Sequence, residues 1–315
     1  MPERYYSQPP KKHRLPFYFL LMLLIIFAAV KAADVHLPEI QLLYNQAVSV
    51  SDHTDNTVTA GSTQHPSESG EFSALESSLR YSSLSPAQKK VYLAMRDAVA
   101  KHREFVGLEQ MMLKQEDFHE VWNAILYTDP YLLATGAIDS VIRTTNGQNL
   151  VISITFQYNM DAKTMQEQYQ TTQELVKKVV SSTDGMNDLD KSRYFHDYLV
   201  LHASYSTDPN APAVHNAYSC LSGGYCVCEG YTKAYKLLCD EAGIPCDLVL
   251  GGIENTTDHV WNLNRLNGVW SHVDVTFDDP TGMPDDYISY SYFNLSTAEI
   301  TKTHMIDQTE NFPIP

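Results

Sequence analysis

Residues 259–274 have the sequence HVWNLNRLNGVWSHVD, and this stretch decides how the surrounding chain folds. Apolar and polar residues alternate on both sides of Asn267 and Gly268. Alternation with a period of two is typical of β-strands, and Asn-Gly is the dipeptide that most strongly favours a two-residue hairpin turn. The stretch therefore predicts two antiparallel strands joined at this turn.

The position of the turn determines which residues face each other across the hairpin. Counting outward from the turn, we predict Trp261 opposite Asp274, and His259 opposite Thr276. Opposed residues share a face of the sheet, and so do residues two apart on one strand. We therefore expect His259 and Asp274 on one face with their backbones roughly 7–8 Å apart, a gap that an imidazole and a carboxylate can bridge.

A second stretch, GGYCVCEGY at residues 223–231, leads directly into a helical pattern of apolar residues. Gly243 is placed to cap the end of that helix, and Pro245 prevents its continuation. These boundaries put Cys228 in the first turn, where unpaired backbone N–H groups and the helix dipole favour an anion. A thiol at this position is expected to ionise more readily than an ordinary cysteine.

Cys228, His259 and Asp274 together have the residue types of a nucleophilic catalytic site. A thiolate needs a partner that takes and returns a proton near neutral pH, and imidazole is suited to that task. Asp274 would orient the ring and stabilise its charged form. A lone cysteine or histidine is more often a packing residue, and Cys226, two residues from Cys228, is the alternative nucleophile.

These motifs resemble the core of the transglutaminase-like superfamily, in particular its short bacterial members with an export signal. The resemblance rests on CEGY, on HVWN and on NGVWSHVDVTFDDP, and it covers about residues 190–300. It implies an α+β, papain-like fold in which the helix that carries the nucleophile packs on an antiparallel sheet. Matched motif by motif, it assigns the catalytic roles to Cys228, His259 and Asp274.

The resemblance also implies an activity. Cys228 would attack an amide bond of a protein or peptide, including cell-wall peptide, and form a thioester. Water would resolve the thioester in a protease or amidase, and an amine would resolve it in a cross-linking enzyme; we favour hydrolysis, without a cofactor or a metal. The alternatives are a non-catalytic surface module that binds a peptide or glycan on the same fold, and a membrane-anchored scaffold.

The amino-terminal sequence predicts export. Basic residues at 11–14 precede an apolar run at 15–30, which is followed by small residues. This is the layout of a signal peptide or an uncleaved anchor within residues 1–33. Residues 34–78 are rich in Ser, Thr, His, Asp and Gly and predict a disordered linker. We expect the rest of the chain outside the cytoplasm, with membrane contact only through the apolar run.

Composition and charge restrict the partners. The chain of 315 residues carries a net charge of −16, which argues against nucleic acid as a partner because the phosphate backbone would repel an acidic surface. The five cysteines lie at 220, 226, 228, 239 and 246, and their spacing fits no common zinc motif.

Two folded parts are predicted beyond the linker. Residues 79–160 would form a small α+β subdomain, with a helix that starts at Ser85 and a hairpin turn at Asn146-Gly147. Residues 161–315 would form the catalytic domain, with further helices from about residue 162 and from Asp188.

Three smaller predictions concern the surroundings of the site. The backbone N–H of Cys228 and a side chain from upstream, with Tyr218 favoured, would stabilise the oxyanion. Asp278 and Asp279 could suggest a metal site, but turn chemistry is the favoured interpretation. The tyrosine-rich segment 287–293 resembles the family's closing strand.

Overall fold

The computed structural model describes residues 75, 78–129, 135–211, 213–253, 258–284, 286–308 and 314, all of which fall in one unit that spans residues 64–315. The predicted export segment 1–33 and nearly all of the predicted linker lie outside the described residues. Within the described part of the chain, no helix has both the length and the apolar character needed to cross a membrane.

Helices and strands alternate along the described chain in an α+β arrangement, which confirms the predicted fold class. The helices are α1 Leu79–Ser83, α2 Pro86–Ala100, α3 Phe118–Thr128, α4 Ala162–Ser181, α5 Asp188–His202, α6 Ala217–Leu221, α7 Cys228–Glu241, α8 Val275–Asp278 and α9 Thr297–Ile300. The strands are β1 Phe105–Gly107, β2 Thr135–Thr145, β3 Gln148–Tyr158, β4 Ser204–Tyr205, β5 Tyr225–Cys226, β6 Cys246–Ile253, β7 His259–Leu266, β8 Val269–Val273 and β9 His304–Ile306.

The first part of the described chain contains the elements that the sequence predicts. Ser85 and Gln88 form a capping box at the start of α2, so two of the N–H groups that a helix start leaves unpaired gain partners. Strands β2 and β3 meet at Asn146 and Gly147, whose positive φ angles of 51° and 77° suit a hairpin turn. These elements form the three-stranded sheet β1-β3-β2 and bury their own apolar cluster.

The helix α7 lies at the centre of the second apolar cluster, together with α4, α5 and α6. Its side chains Tyr231 and Tyr235 are fully buried, and each such burial contributes on the order of 1.5–3 kcal/mol to folding. Gly243 ends the helix with a positive φ of 75°, as predicted. Helix α7 is therefore held by an extensive core.

Helix α7 packs on a four-stranded antiparallel sheet of order β8-β7-β6-β9. Across the hairpin, Leu266 pairs with Val269 and Asn262 pairs with Val273, in the predicted register. The turn residues Asn267 and Gly268 have φ angles of 52° and 83°. The hairpin prediction is confirmed over the whole length of β8.

The chain departs from the prediction where β8 ends. The ladder stops at the pair Asn262–Val273, and Asp274 instead caps the short helix α8 by accepting a hydrogen bond from the Phe277 N–H. The expected pairs of Trp261 with Asp274 and of His259 with Thr276 do not form. A side chain that can cap a helix competes with continued strand pairing, and here the cap prevails.

The tyrosine-rich segment 287–293 is not a strand, so the expectation based on the family's closing strand is wrong. The segment is irregular, and its backbone is bound by Asp278, whose carboxylate accepts from the Tyr292 N–H at 3.0 and 3.1 Å. The strand that closes the sheet is β9, which pairs with β6 from Gly251 to Ile253.

Candidate active site

Cys228 is the first residue of α7, where the sequence predicts it. The N-cap residue, Val227, makes no side-chain hydrogen bond to the first turn. The exposed N–H groups and the dipole of a helix start favour negative charge at this position. Cys228 is half-buried, whereas the other four cysteines are buried.

The residues after Cys228 in the CEGY motif have identifiable structural tasks. A Cβ atom on Gly230 would lie 2.7 Å from both the Cys226 Cβ and the Val214 carbonyl oxygen, so only glycine lets the helix start pack this closely. Glu229 accepts hydrogen bonds from Lys233 at 2.6 Å and from His215 at 2.9 Å. The motif thus fixes the helix start against the loop that precedes it.

His259 and Asp274 are hydrogen-bonded to each other. His259 Nε2 lies 2.6 Å from Asp274 Oδ2, and the two residues are only 7% and 1% exposed. Cys228 is one of the groups that raise the pKa of His259, so its thiol lies within interaction range of the imidazole. The structure therefore brings all three predicted residues together, although β8 ends one residue before Asp274; their catalytic roles stay predictions.

The electrostatics of the pair favour a charged imidazole. Burial lowers the pKa of His259, but the charge and hydrogen bond of Asp274, and then Cys228, outweigh it and raise the pKa to about 10. Burial raises the pKa of Asp274, but His259 and His304 outweigh it and lower the pKa to about 2. At neutral pH the site is thus suited to an imidazolium and a carboxylate, the partners that stabilise a neighbouring thiolate.

A second histidine, His304, binds the same carboxylate oxygen and is not among the residues predicted from the sequence. Its Nε2 lies 2.9 Å from Asp274 Oδ2, and its Nδ1 lies 2.9 Å from Thr303 Oγ1. His304 is buried at the start of β9, in the strand that pairs with β6. Its sequence surroundings carry no motif, so only the pairing of β9 reveals it.

An aromatic shell surrounds the pair. The rings of Trp261 and Phe277 lie 5.8 and 5.3 Å from the His259 ring, centre to centre. Trp261 is fully buried and donates its indole N–H to His272 Nδ1 at 3.0 Å. Burial and the nearby His304 lower the pKa of His272 to about 4, which keeps His272 neutral and able to accept this bond. These rings help to bury the His259–Asp274 pair.

A tyrosine that the sequence does not single out, Tyr205, lies close to Cys228. It lies on β4, where it pairs with Cys226 of the parallel strand β5. Burial raises the pKa of Tyr205, and the charges of Cys228 and Asp274 raise it further, so its phenol is within electrostatic range of both groups. Tyr218, the oxyanion donor favoured by the sequence, lies on α6. No contact assigns Tyr218 to the site, and its role stays a prediction.

Cys226 is fully buried and lies close to the equally buried Cys220. Burial is the largest of the effects that raise the pKa of Cys220. An inaccessible thiol in an apolar environment is a poor nucleophile. The surroundings of Cys226 therefore weaken the case for it as the alternative to Cys228.

Asp278 and Asp279 face different partners. Asp278 is fully buried and bonds to His196 Nε2 at 3.2 Å, while Asp279 accepts from the Tyr231 hydroxyl at 2.5 Å. Each carboxylate thus has a partner in the protein, in agreement with a structural role for the turn.

Among the described residues, the group that could hold a metal ion is His259, Asp274 and His304, whose ligand atoms lie within 4.8 Å of one another. Both imidazoles already bind the same carboxylate oxygen, so an ion would have to replace two hydrogen bonds. This cost argues against a metal, and the expectation of a metal-free site remains a prediction.

A cysteine at a helix start, a histidine on a strand and an aspartate just after the neighbouring strand together define the class of cysteine-histidine-aspartate sites. Residues 173–275, which include all three side chains, match the model of the transglutaminase-like superfamily, and the predicted resemblance is confirmed. No curated protein matches the chain.

Solved structures with similarity to the chain include one described as a TGase, at 16% identity and a TM-score of 0.32, with 51% of this chain and 50% of that chain covered. Another is the periplasmic domain of TgpA from Pseudomonas aeruginosa bound to ethylmercury, at 17% identity and a TM-score of 0.27, with 43% of this chain and 58% of that chain covered. The chain thus spans about half the length of the first of these structures.

Proposed function

We propose that the protein is a cysteine-dependent enzyme that attacks amide bonds of proteins or peptides through a thioester on Cys228. The observation that carries this proposal is the buried His259–Asp274 pair, joined at 2.6 Å, within interaction range of the Cys228 thiol at a helix start. A packing role does not require a thiol, an imidazole and a carboxylate in series.

In the proposed reaction, the Cys228 thiolate attacks the amide carbonyl carbon and forms a C–S bond. The oxyanion of the resulting tetrahedral intermediate is stabilised by N–H donors at the start of α7. The C–N bond then breaks, and the imidazolium of His259 donates its proton to the leaving amine. Asp274 holds the ring in position throughout.

The thioester is resolved by a second nucleophile. Neutral His259 takes a proton from a water molecule, the water oxygen attacks the thioester carbonyl, and the thiolate leaves. An amine in place of water would give a new amide by the same steps. We favour hydrolysis, as inferred from the resemblance to short bacterial members of the superfamily, with peptide substrates that include those of the cell wall.

We also propose that the enzyme acts outside the cytoplasm. The support is the basic cluster at residues 11–14 followed by the apolar run at 15–30. Fractionation of cells that express the full chain tests this, with detection of the protein by an antibody against residues 79–315. Recovery of the protein in the cytoplasmic fraction alone would contradict export.

The catalytic proposal is tested by trapping. The full chain is incubated with a peptide library, quenched in acid and analysed by mass spectrometry. We expect an acyl adduct on Cys228 that is absent in Cys228→Ala and strongly reduced in His259→Ala. A chloroacetamide probe should also label Cys228 faster than it labels a free thiol in an unfolded peptide, and this excess should disappear in His259→Ala.

Two results would reject the proposal that the protein is a cysteine-dependent enzyme. One is a Cys228 that labels no faster than an ordinary exposed thiol and does not respond to His259→Ala. The other is a Cys228→Ala protein that still cleaves substrate. The first result, together with retained peptide or glycan binding, would support the alternative of a non-catalytic binding module.

A further inference from the structure

A cavity of about 450 Å³ lies next to β4, the strand that pairs with β5 just before Cys228. One wall is formed by the end of α5 with β4, and the other by the segment that follows α8. Its lining includes Tyr205, Asp279, Met283 and Tyr287.

Two residues connect this cavity to the nucleophile. Tyr205 lines the cavity and pairs across β4 and β5 with Cys226, two residues before Cys228. Asp279 lines it as well and accepts a hydrogen bond from Tyr231, which lies one turn after Cys228 on α7. A peptide whose amide reaches Cys228 would therefore have a neighbouring group within reach of this cavity.

The cavity lining combines one carboxylate with aromatic and apolar side chains. Asp279 is its acidic residue, and Tyr205, Met283 and Tyr287 are between 36% and 46% exposed although they are large and apolar in character. No lysine or arginine occurs among the described residues of the lining. The local chemistry therefore favours a ligand with a positive charge on an apolar stem.

The carboxylate of Asp279 is held in a position from which it can bind such a ligand. Its Oδ2 is bound by Tyr231, so the carboxylate is held in one orientation by a bond to the core helix. Burial raises the pKa of Asp279, while the Tyr231 hydrogen bond and the nearby His196 lower it. A cation in the cavity would offset the cost of burying this charge, because an opposite charge at close range favours the ionised carboxylate.

Hydrogen bonds to neighbouring segments fix the position of the cavity wall that carries Asp279. The adjacent Asp278 is fully buried and binds His196 on α5 together with the Tyr292 N–H. The Tyr287 N–H donates to the Pro284 carbonyl at 2.9 Å. These bonds preform the cavity, so a ligand would not need to order this wall, which reduces the cost of binding.

We propose that this cavity is a substrate subsite that binds a primary ammonium group, carried on the lysine-like side chain of a peptide next to the amide that Cys228 attacks. The ammonium group donates charge-assisted hydrogen bonds to Asp279, and its charge faces the tyrosine rings. The apolar stem packs on Met283 and neighbouring carbons. The net charge of −16 attracts such peptides to the protein. This inference rests on the proposed function, because the attack of Cys228 on an amide determines where on the peptide the ammonium group lies.

The test measures binding without turnover, so that its outcome is separate from that of catalysis. Full-length protein with Cys228→Ala is titrated by calorimetry with N-acetylated, C-amidated hexaalanine peptides in which each alanine in turn is replaced by lysine or by norleucine, its uncharged counterpart. At one position we expect the lysine peptide to bind about tenfold more tightly than the norleucine peptide, the value of one charge-assisted hydrogen bond.

The lysine preference should depend on Asp279. Adding Asp279→Asn should reduce it to less than about threefold, because the amide can still accept from Tyr231 but has no charge. Asp184→Asn removes the same charge from an exposed turn and should leave the preference intact. Tyr287→Leu, which does not touch the Asp279–Tyr231 bond, should weaken the preference as well and serves if Asp279→Asn fails to fold by circular dichroism.

Equal binding of lysine and norleucine peptides at every position, no measurable binding of any peptide, or a preference that survives Asp279→Asn would each overturn the subsite. A lysine preference that depends on Asp279, in a protein whose wild type forms no acyl adduct on Cys228, would reject the proposed reaction and leave the cavity's specificity standing. The two proposals can therefore fail separately.

Discussion

Replacing Asp274 by asparagine removes one charge from the buried centre of the site and keeps its shape. The His259 pKa of about 10 depends on this charge more than on any other raising effect, since Asp274 lies 2.6 Å away and raises that pKa more than Cys228 does. Loss of an adjacent opposite charge typically changes a pKa by about 1–3 units. In Asp274→Asn we therefore expect the pKa of His259 to fall by that amount, and kcat/KM at neutral pH to fall by about 100-fold or more.

The same substitution should lower the free energy of unfolding by an amount that depends on pH. The raised pKa of His259 contributes to the free energy of unfolding. This contribution is fully present below about pH 6.5, the pKa of the histidine in the unfolded chain, and is lost as pH rises through about 10. The lowered pKa of Asp274 also contributes to the free energy of unfolding. This contribution is present above about pH 3.8, the pKa of the carboxyl in the unfolded chain, and is lost as pH falls to about 2. Wild type should therefore exceed Asp274→Asn in unfolding free energy most clearly between about pH 4 and 6.5, by about 3–5 kcal/mol as for other broken buried pairs.

Two measurements check this. Histidine-labelled protein is titrated by NMR, with the His259 signal assigned from His259→Gln, and urea unfolding is repeated at intervals from pH 3 to 10. The reasoning is refuted if His259 titrates at the same pH in wild type and Asp274→Asn, or if the stability difference between the two proteins does not change with pH.

Three further predictions concern residues around the site. Cys226→Ala should keep the fast probe labelling and the activity of wild type, because the reacting thiol is Cys228; a loss of labelling would move the nucleophile to Cys226. His304→Gln should lower kcat/KM by about tenfold with a small change in KM, because Asp274 loses one of its two histidine donors; an unaltered rate would make His304 a packing residue only. Gly251→Ala should lower the unfolding free energy by more than about 3 kcal/mol in denaturant titrations, since its Cβ would lie 2.0 Å from the Met305 carbonyl oxygen; wild-type stability would show that β9 can shift freely.

Local signals predicted much of this structure. The Asn267-Gly268 turn predicts the β7-β8 register because a two-residue turn leaves one way to pair the strands. The stretch GGYCVCEGY predicts the start of α7 at Cys228, and Gly243 predicts its end. In both cases the determining residues lie within a few positions of the feature that they specify.

Features that depend on distant pairing were not predictable in this way. The capping of α8 by Asp274 competes with strand pairing, and the sequence does not show which of the two prevails. His304 reaches the site only because β9 pairs with β6, two segments that are far apart in the chain. The cavity beside Tyr205 likewise requires the segment after α8 to fold back against α5.

The pairing of β9 with β6 has a practical consequence for anyone who shortens the chain. The family match ends at residue 275, before β9. A fragment cut there would lack His304 and would leave the backbone of Gly251–Ile253 without its neighbour. Bare strand edges recruit other molecules, so we expect such a fragment to self-associate during purification, and its lack of activity would say nothing about the chemistry of the intact protein.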